Sequence, residues 1–364
     1  MDFLLHLLSY WDSALAVILV FGGLIFFHEL GHFIANKMLG VGVITFSIGM
    51  GPKLFGFKYG KTEYRLSLLP IGGFVSAVGE YDHETESLGF SKEEALYLRP
   101  AWQRMLMAFA GPFANFVVAF VIYFGLCLTT GVSVSLPQIS DPLPDSPAWA
   151  AGLRKGDTIN SINGMPVSEW AQIPDMVSAS GGKELTLKVT RENAGITLSL
   201  TPQRMTRTTI FGEEEEAWLI GVSPLGTVRH IPVGFGDAIR EGLGQTARMT
   251  MLTWTGFKKL LTGRVSAKNV GGPVMIAEML GSQAKVGMVP LLLLAALISV
   301  NLGLLNLLPV PVLDGGVILF GLVEMLIRRP VPEKLQNILL YIGVFLLVAL
   351  MVFATFNDIL RLFK

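Results

Sequence analysis

Charge is what this sequence has least of. Of its 364 residues only 15% are Asp, Glu, Lys or Arg, against 51% hydrophobic ones, and the mean hydropathy is +0.56. Soluble proteins carry about 25% charged residues, so the composition points away from a soluble chain and toward an integral membrane protein. Neither sign predominates. The 28 basic and 28 acidic residues cancel, which removes the electrostatic footprint of a nucleic-acid binder or of a polybasic membrane-surface protein. A sole cysteine, Cys127, excludes an internal disulfide and a thiolate zinc cluster. Forty glycines and fifteen methionines follow no short period, which argues against collagen-like or low-complexity sequence.

What is present instead is a set of long apolar runs. Leu15 to Ala35 reads LAVILVFGGLIFFHELGHFIA, long enough to span a hydrocarbon core of about 30 Å. No Lys or Arg precedes it and no small-residue cleavage site follows, so it does not read as a cleavable signal peptide. Spans are expected at about 15–36, 102–130, 289–327 and 338–360. The third is interrupted by Pro309 and Pro311, which remove backbone donors. A helix is expected through about Leu308, then an irregular turn, then helix again after Gly316. Broken helix at membrane depth survives only against protein or a water-filled cavity. Lys37, Lys53, Lys58, Lys61, Arg65, Lys92 and Arg99 follow the first span, and Arg328, Arg329 and Lys334 precede the last. The positive-inside rule therefore makes both of those loops cytoplasmic and puts the termini and the segment from about 133 to 288 on the opposite side.

The charged segments have their own organisation. Alternation in Glu184–Arg191 and Ile196–Leu200, with turn residues at Asn163-Gly164 and Gly181-Gly182, reads as a small, mostly β domain at 132–204. The run Glu213–Glu216 reads as a solvated loop. Between Phe235 and about Leu261 apolar and basic residues mix as in an amphipathic helix lying on the membrane or against the β domain. This makes 205–288 a linker with amphipathic helices between two parts of a membrane core, 1–131 and 289–364. In the first loop, Thr62–Leu69 and Gly73–Gly79 flank Pro70-Ile71-Gly72 and read as short strands around a tight turn, a β-hairpin loop at about 44–79. An ordinary hairpin is the plain reading; an exposed strand edge there could also pair with an extended peptide.

Within the first span stands His28-Glu29-Leu30-Gly31-His32. Histidines at i and i+4 lie one turn apart on one helix face and can reach one zinc, with the intervening Glu placed to act as a base. An ionisable residue near mid-bilayer costs about 2.5–3.5 kcal/mol, so three within five residues call for a functional reason. A hydrolytic zinc site needs three protein ligands and one open position. Asp314, in Asn306–Gly316 (NLLPVPVLDGG), is the acid lodged in the broken third span. Glu324, about three turns further on, is the weaker candidate, and Asp314-Gly315-Gly316 could also be a helix-capping turn.

Ser146-Pro-Ala-Trp-Ala-Ala-Gly-Leu-Arg-Lys-Gly-Asp-Thr-Ile-Asn-Ser-Ile-Asn-Gly164 resembles the PDZ domains of bacterial envelope proteases. With His28–His32 and Asn306-x-x-Pro309-x-Pro311-x-x-Asp314-Gly315, the whole chain resembles the site-2 protease family of intramembrane zinc metalloproteases, close to its bacterial RseP branch. Phe109–Asn115, Gly72-Gly73-Phe74 and Gly271-Gly272-Pro273 resemble that branch too. One departure is that a single PDZ domain is found where the best-known members carry two.

The resemblance implies that His28, His32 and Asp314 hold Zn2+ and that Glu29 moves the proton. It further implies that Asn306 hydrogen-bonds substrate backbone or the oxyanion, and that the strands around Gly72, Gly73 and Phe74 hold an unwound substrate. The expected fold is a polytopic α-helical membrane protein of about four transmembrane helices. It carries one inserted extracytoplasmic PDZ domain and a cytoplasmic-side β-hairpin loop, and resides in a bacterial inner membrane. The expected activity is regulated intramembrane proteolysis of single-span proteins, such as anti-sigma factors after a first cleavage, or of remnant signal peptides. Expected partners are those substrates, the lipid bilayer and a PDZ-bound peptide or C-terminus; no nucleic acid is expected. The PDZ domain would serve as peptide receptor or as size filter. A catalytically degenerate PDZ-bearing adaptor and a peptidase acting on soluble peptides at the cytoplasmic interface are the other readings.

Overall fold

The computed structural model describes residues 2–79, 89–265 and 271–362. The stretches 80–88 and 266–270, which fall in the expected loop and linker regions, lie outside the described residues. The chain forms two compact units, one of residues 1–125, 242–260 and 266–364, the other of 126–241 and 261–265.

The first unit begins with α1 (Asp2–Met38), followed by β1 (Val43–Tyr59), β2 (Thr62–Ala77) and α2 (Ala101–Thr130). The expected pair of short strands around Pro70–Gly72 is corrected here: residues 62–77 form one long strand, and both strands bend. The bends fall where glycine tolerates positive φ, at Gly49 (+84°) and Gly72 (+88°). As a result Val43–Ile48 has partners on both sides. Its register runs from Val43 opposite Ala77 to Ile48 opposite Gly73, and again from Thr45 opposite Glu63 to Ile48 opposite Leu66. The far half, Lys53–Tyr59, pairs with Thr62–Ser67. Four segments thus lie side by side, with Gly73–Ala77 outermost, and among the described residues no strand pairs with its outer edge.

Aromatic packing fixes this sheet against α1. Phe26 and Phe33, two turns apart on the helix, meet Phe46 edge-to-face at centroid distances of 5.8 and 5.3 Å, and Phe33 meets Tyr64 at 5.8 Å. At the helix end Lys37 Nζ donates to Thr62 Oγ1 (2.9 Å), whose own hydroxyl donates to the Val43 carbonyl (2.7 Å).

The second unit carries β3 (Val132–Ser135), α3 (Pro147–Ala150), β4 (Thr158–Ile162), β5 (Met165–Pro166), α4 (Gln172–Ala179), β6 (Leu185–Arg191), β7 (Ala194–Leu200), β8 (Gln203–Thr208), β9 (Glu214–Leu219) and β10 (Val228–Ile231). An antiparallel sheet of order β5-β4-β6-β7 buries Ile159, Ile162, Leu185, Leu187 and Val189 against Ile139, Ile173 and Val177. Ser146 caps α3, its Oγ accepting from the Trp149 N–H at 3.2 Å.

The unit does not stop at 204. Strand β10 pairs with β3, Ala148 N–H donates to the Ile220 carbonyl, and Ile220 is buried in the same core. The acidic run is likewise not a loop: Glu214–Glu216 lie in β9, where Glu215 pairs with Arg207 directly opposite on β8 at 3.3 Å and Glu216 with Arg204 diagonally at 3.7 Å.

Beyond it come α5 (Phe235–Leu261), α6 (Pro273–Val286), α7 (Met288–Asn306), α8 (Asp314–Ile327) and α9 (Glu333–Leu362). Among the described residues four helical segments, Leu15–Met38, Ala101–Thr130, Met288–Asn306 and Glu333–Arg361, are long and apolar enough to cross a membrane. From Gly242 onward α5 packs against α2 and α7 and so departs from the expected surface helix. Met249 joins Ala119, Tyr123, Ala296 and Val300, and Thr253 Oγ1 donates to Asn301 Oδ1 at 2.7 Å. Thr246, Thr250 and Thr255 return their hydroxyls to the carbonyl four residues back, which satisfies polar groups without water.

The expected broken span resolves into α7 and α8 joined by 307–313. Helix ends at Asn306 and resumes at Asp314, each about two residues earlier than the prolines alone suggested, with tight turns between: Val310 N–H bonds the Leu308 carbonyl, Leu313 that of Val310, and Gly316 that of Leu313.

Candidate metal centre

Helix α1 brings His28 and His32 onto one face, their Nε2 atoms 3.2 Å apart and their rings edge-to-face. The first residue of α8 completes the group: Asp314 Oδ2 lies 3.3 Å from His28 Nε2 and Oδ1 lies 3.3 Å from His32 Nε2. All three side chains are mostly enclosed, 12%, 16% and 20% exposed. Among the described residues this is the one group of three or more His, Cys, Asp or Glu side chains close enough to share an ion.

The donor set fits zinc. Ligand lengths of about 2.0–2.1 Å in a tetrahedron put ligand atoms about 3.3 Å apart; the two Nε2 atoms are 3.2 Å apart and each lies 3.3 Å from one carboxylate oxygen of Asp314, Oδ2 for His28 and Oδ1 for His32. Two imidazoles and one carboxylate are also a common catalytic zinc set, with a fourth position left for water. His32 is oriented for this role, since its Nδ1–H donates to the Met107 carbonyl on α2 at 2.8 Å and so leaves the Nε2 lone pair toward the cluster.

Close helix contact makes the arrangement possible. A Cβ on Gly31 would fall 2.3 Å from the Ala110 carbonyl oxygen, so α1 and α2 touch backbone to backbone there. On α2 the His32 ring occupies the space of a missing side chain, because a Cβ on Gly111 would fall 2.2 Å from its Nε2. Asp314 is set by the chain folding back over the start of α8, where a Cβ on Gly315 would collide with the Leu307 and Leu308 carbonyls.

Other residues singled out in the sequence divide. Glu29 lies beside the outermost strand: a Cβ on Gly73 would sit 3.0 Å from its Cγ and 3.1 Å from Ile25. The amide nitrogen of Asn306 lies 3.4 Å from His28 Nε2. Phe74 points to Arg65, whose guanidinium sits 4.7 Å from the ring centroid, and Gly72 lies against Met50. Glu324 is outside the cluster altogether; it pairs with Arg104 of α2 at 2.5 Å.

Two contacts escaped sequence reasoning. One is that of the Met107 carbonyl, which no side-chain pattern marks. The other is that of Asn115, whose amide nitrogen lies 3.1 Å from His28 Nδ1; the residue stood out as polar within an apolar run and as part of Phe109–Asn115, but nothing local tied it to His28. An apolar groove of about 960 Å³ along α1 and α2, lined by Leu19, Phe27, Phe109 and Phe113, does not include the cluster.

The sequence profile of Peptidase family M50 matches residues 16–350. A Campylobacter jejuni protein provisionally named a zinc metalloprotease is 39% identical over 348 residues, 96% of this chain and 93% of its own length. The zinc metalloprotease RasP of Bacillus licheniformis is 32% identical over 427 aligned positions, covering 97% of this chain and all of RasP. The regulator of sigma-W protease RasP of Bacillus subtilis is 32% identical across 97% of this chain and 99% of its own.

Proposed function

Because the chain belongs to peptidase family M50 and is a membrane-integral zinc metalloprotease, we propose that it hydrolyses a peptide bond within or near the transmembrane segment of single-span proteins. The observation that carries this is the convergence of three zinc-type donors at the junction of apolar helices, with Glu29 one residue from a ligand and the outermost strand of the sheet beside it. His28, His32 and Asp314 hold the ion. When bound, zinc lowers the pKa of water toward about 7 and polarises a carbonyl.

Glu29 takes the proton of the attacking water and returns it to the leaving amide nitrogen, so the same carboxylate serves as base and then as acid. Asn306, 3.4 Å from His28, donates from its amide to the substrate carbonyl or the developing oxyanion. A transmembrane helix cannot be cut while its carbonyls are sequestered in i to i−4 bonds. The outer edge of the strand at Gly72, Gly73 and Phe74 offers main-chain partners that hold the substrate extended beside Glu29.

The small antiparallel sheet and two short helices of the second unit support reading it as a PDZ domain; the basic loops after the first span and before the last support its lying on the extracytoplasmic face of a bacterial inner membrane. It would admit substrates already shortened outside the membrane, of the anti-sigma or remnant signal-peptide kind, either by binding a new C-terminus or by excluding larger ones. The test is the mass of fragments released from a co-expressed single-span reporter. Glu29→Gln is expected to abolish them while zinc content stays native; persisting cleavage would refute the mechanism.

A further inference from the structure

The ring of His32 is held by a backbone carbonyl, but the corresponding atom of His28 faces a side chain. Asn115 is fully buried on α2, and its amide nitrogen stands 3.1 Å from His28 Nδ1. The backbone carbonyl of Asn115 is fixed in turn by the Ser299 hydroxyl of α7, which donates to it at 2.7 Å. The spacing is regular. Met107, Gly111 and Asn115 recur every four residues on one stripe of α2, and they meet His32 and then His28, which are four apart on α1. One helix supplies the ligands and the facing stripe supplies their supports.

The amide of Asn115 can turn over without changing its shape. In either orientation one end meets His28 Nδ1 and the other stands where Oδ1, among the described residues, has no hydrogen-bond partner. The amide's own pairing therefore does not choose between them, and without an ion a proton on His28 Nε2 meets Asp314 Oδ2 at 3.3 Å; ligation removes that proton and reverses the choice. With the NH2 end toward Nδ1, the ring nitrogen must accept and the proton sits on Nε2, where it blocks the metal. With the carbonyl end toward it, Nδ1–H donates and the Nε2 lone pair faces His32 and Asp314. A leucine would fill the same space between two apolar helices with no unpaired amide atom, so folding alone gives no reason for this amide.

We propose that Asn115 is a positioning residue for His28. Its side-chain carbonyl accepts the Nδ1–H and fixes the tautomer and ring angle in which Nε2 ligates zinc. This rests on reading His28 as a zinc ligand.

The experiment compares the full-length protein in detergent with Asn115→Leu, Asn115→Asp, Ser299→Ala and His28→Ala, measuring zinc affinity by chelator competition and the absorption of the cobalt-substituted form. Loss of a hydrogen-bond partner to a ligating histidine lowers metal affinity by about 10- to 100-fold. Asn115→Leu is expected to fall in that range with an altered cobalt spectrum. Asn115→Asp, which also accepts from Nδ1–H, and Ser299→Ala, which spares the amide, are expected to stay within about threefold of native. Native affinity in Asn115→Leu, or equal losses in the Leu and Asp variants, would overturn the proposal. Native zinc affinity in His28→Ala would instead overturn the metal-site reading. Should Asn115→Leu fail to fold, nitrogen-15 spectra of histidine-labelled native protein decide: the proposal requires a protonated Nδ1 on zinc-bound His28, and a bare Nδ1 overturns it.

Discussion

Replacing Gly111 by alanine adds one methyl group, and the structure says where it goes. The new Cβ would lie 2.2 Å from His32 Nε2, 2.5 Å from Cε1 and 2.8 Å from Cδ2. Ordinary nonbonded contact is about 3.5 Å, so the ring must retreat by more than about 1 Å. Metal–ligand lengths tolerate about 0.2 Å, several times less than that retreat. The ring cannot retreat while keeping its 2.8 Å bond to Met107, which sits one turn earlier on the same helix. His32 therefore leaves the site, and zinc affinity is expected to fall more than about 100-fold, about 2.8 kcal/mol or more.

Overpacking alone would cost the fold about 1–3 kcal/mol, so the assay must separate the two losses. Zinc per chain is measured after equilibration against graded chelator, alongside the thermal midpoint of the metal-free protein. Gly125→Ala on the same helix is the control, since nothing lies within 4 Å of its Cβ, and it should leave zinc binding unchanged. A Gly111→Ala protein that holds one zinc at the chelator concentration native protein tolerates would refute the geometry of the site.

Three further outcomes follow from particular contacts. Phe46, 6% exposed between Phe26 and Phe33, anchors the sheet; Phe46→Ala should cost about 3–5 kcal/mol locally and stop reporter cleavage while zinc content stays native, and full activity would remove the sheet from the mechanism. Arg104 and Glu324 tie α2 to α8 with side chains about a quarter exposed; Arg104→Ala should lower stability by about 1–2 kcal/mol after allowance for screening, and a double-mutant cycle with Glu324→Gln showing no coupling would deny the link. Burial of Asp157 opposes its ionisation, yet the Arg191 guanidinium and the Arg154 N–H hold its carboxyl below the usual value. A lowered folded pKa stabilises above the unfolded value of about 3.9 and is lost as pH falls below it; hydrogen exchange in β4 and β6 should accelerate there, and Asp157→Asn should remove that dependence.

The spans, the i, i+4 histidine pair and the breaking of the third span were legible because each is local: apolar run length, helical period and missing proline donors act within a few residues. Asp314 could be singled out for the same reason, being an acid in a broken apolar segment. Strand assignment along the first loop succeeded less well. Thr62–Ala77 is one bent strand, and nothing in its own residues says that its first half lies between the two halves of β1 while its second half pairs with Val43–Ile48 alone. The acidic run reads as a solvated loop; it is solvated but lies in a strand, because Arg207 opposite Glu215 and Arg204 diagonal to Glu216 supply cross-strand partners.

By itself, then, the sequence determined that this chain lives in a bilayer and carries a zinc-type motif there, because hydrocarbon leaves few explanations for embedded charge. Only the tertiary structure decided which acid joins the histidines. Asp314 and Glu324 differ in distance along one helix, and it is the fold-back of 307–313 that turns the first toward His28 and His32 while Arg104 claims the second. It also decided that α2 supports the site, since two antiparallel helices in contact at Gly31 bring Met107 and Asn115 against rings about eighty residues away in the chain. Such contacts depend on which faces meet, and that is a property of the packed molecule rather than of any one segment.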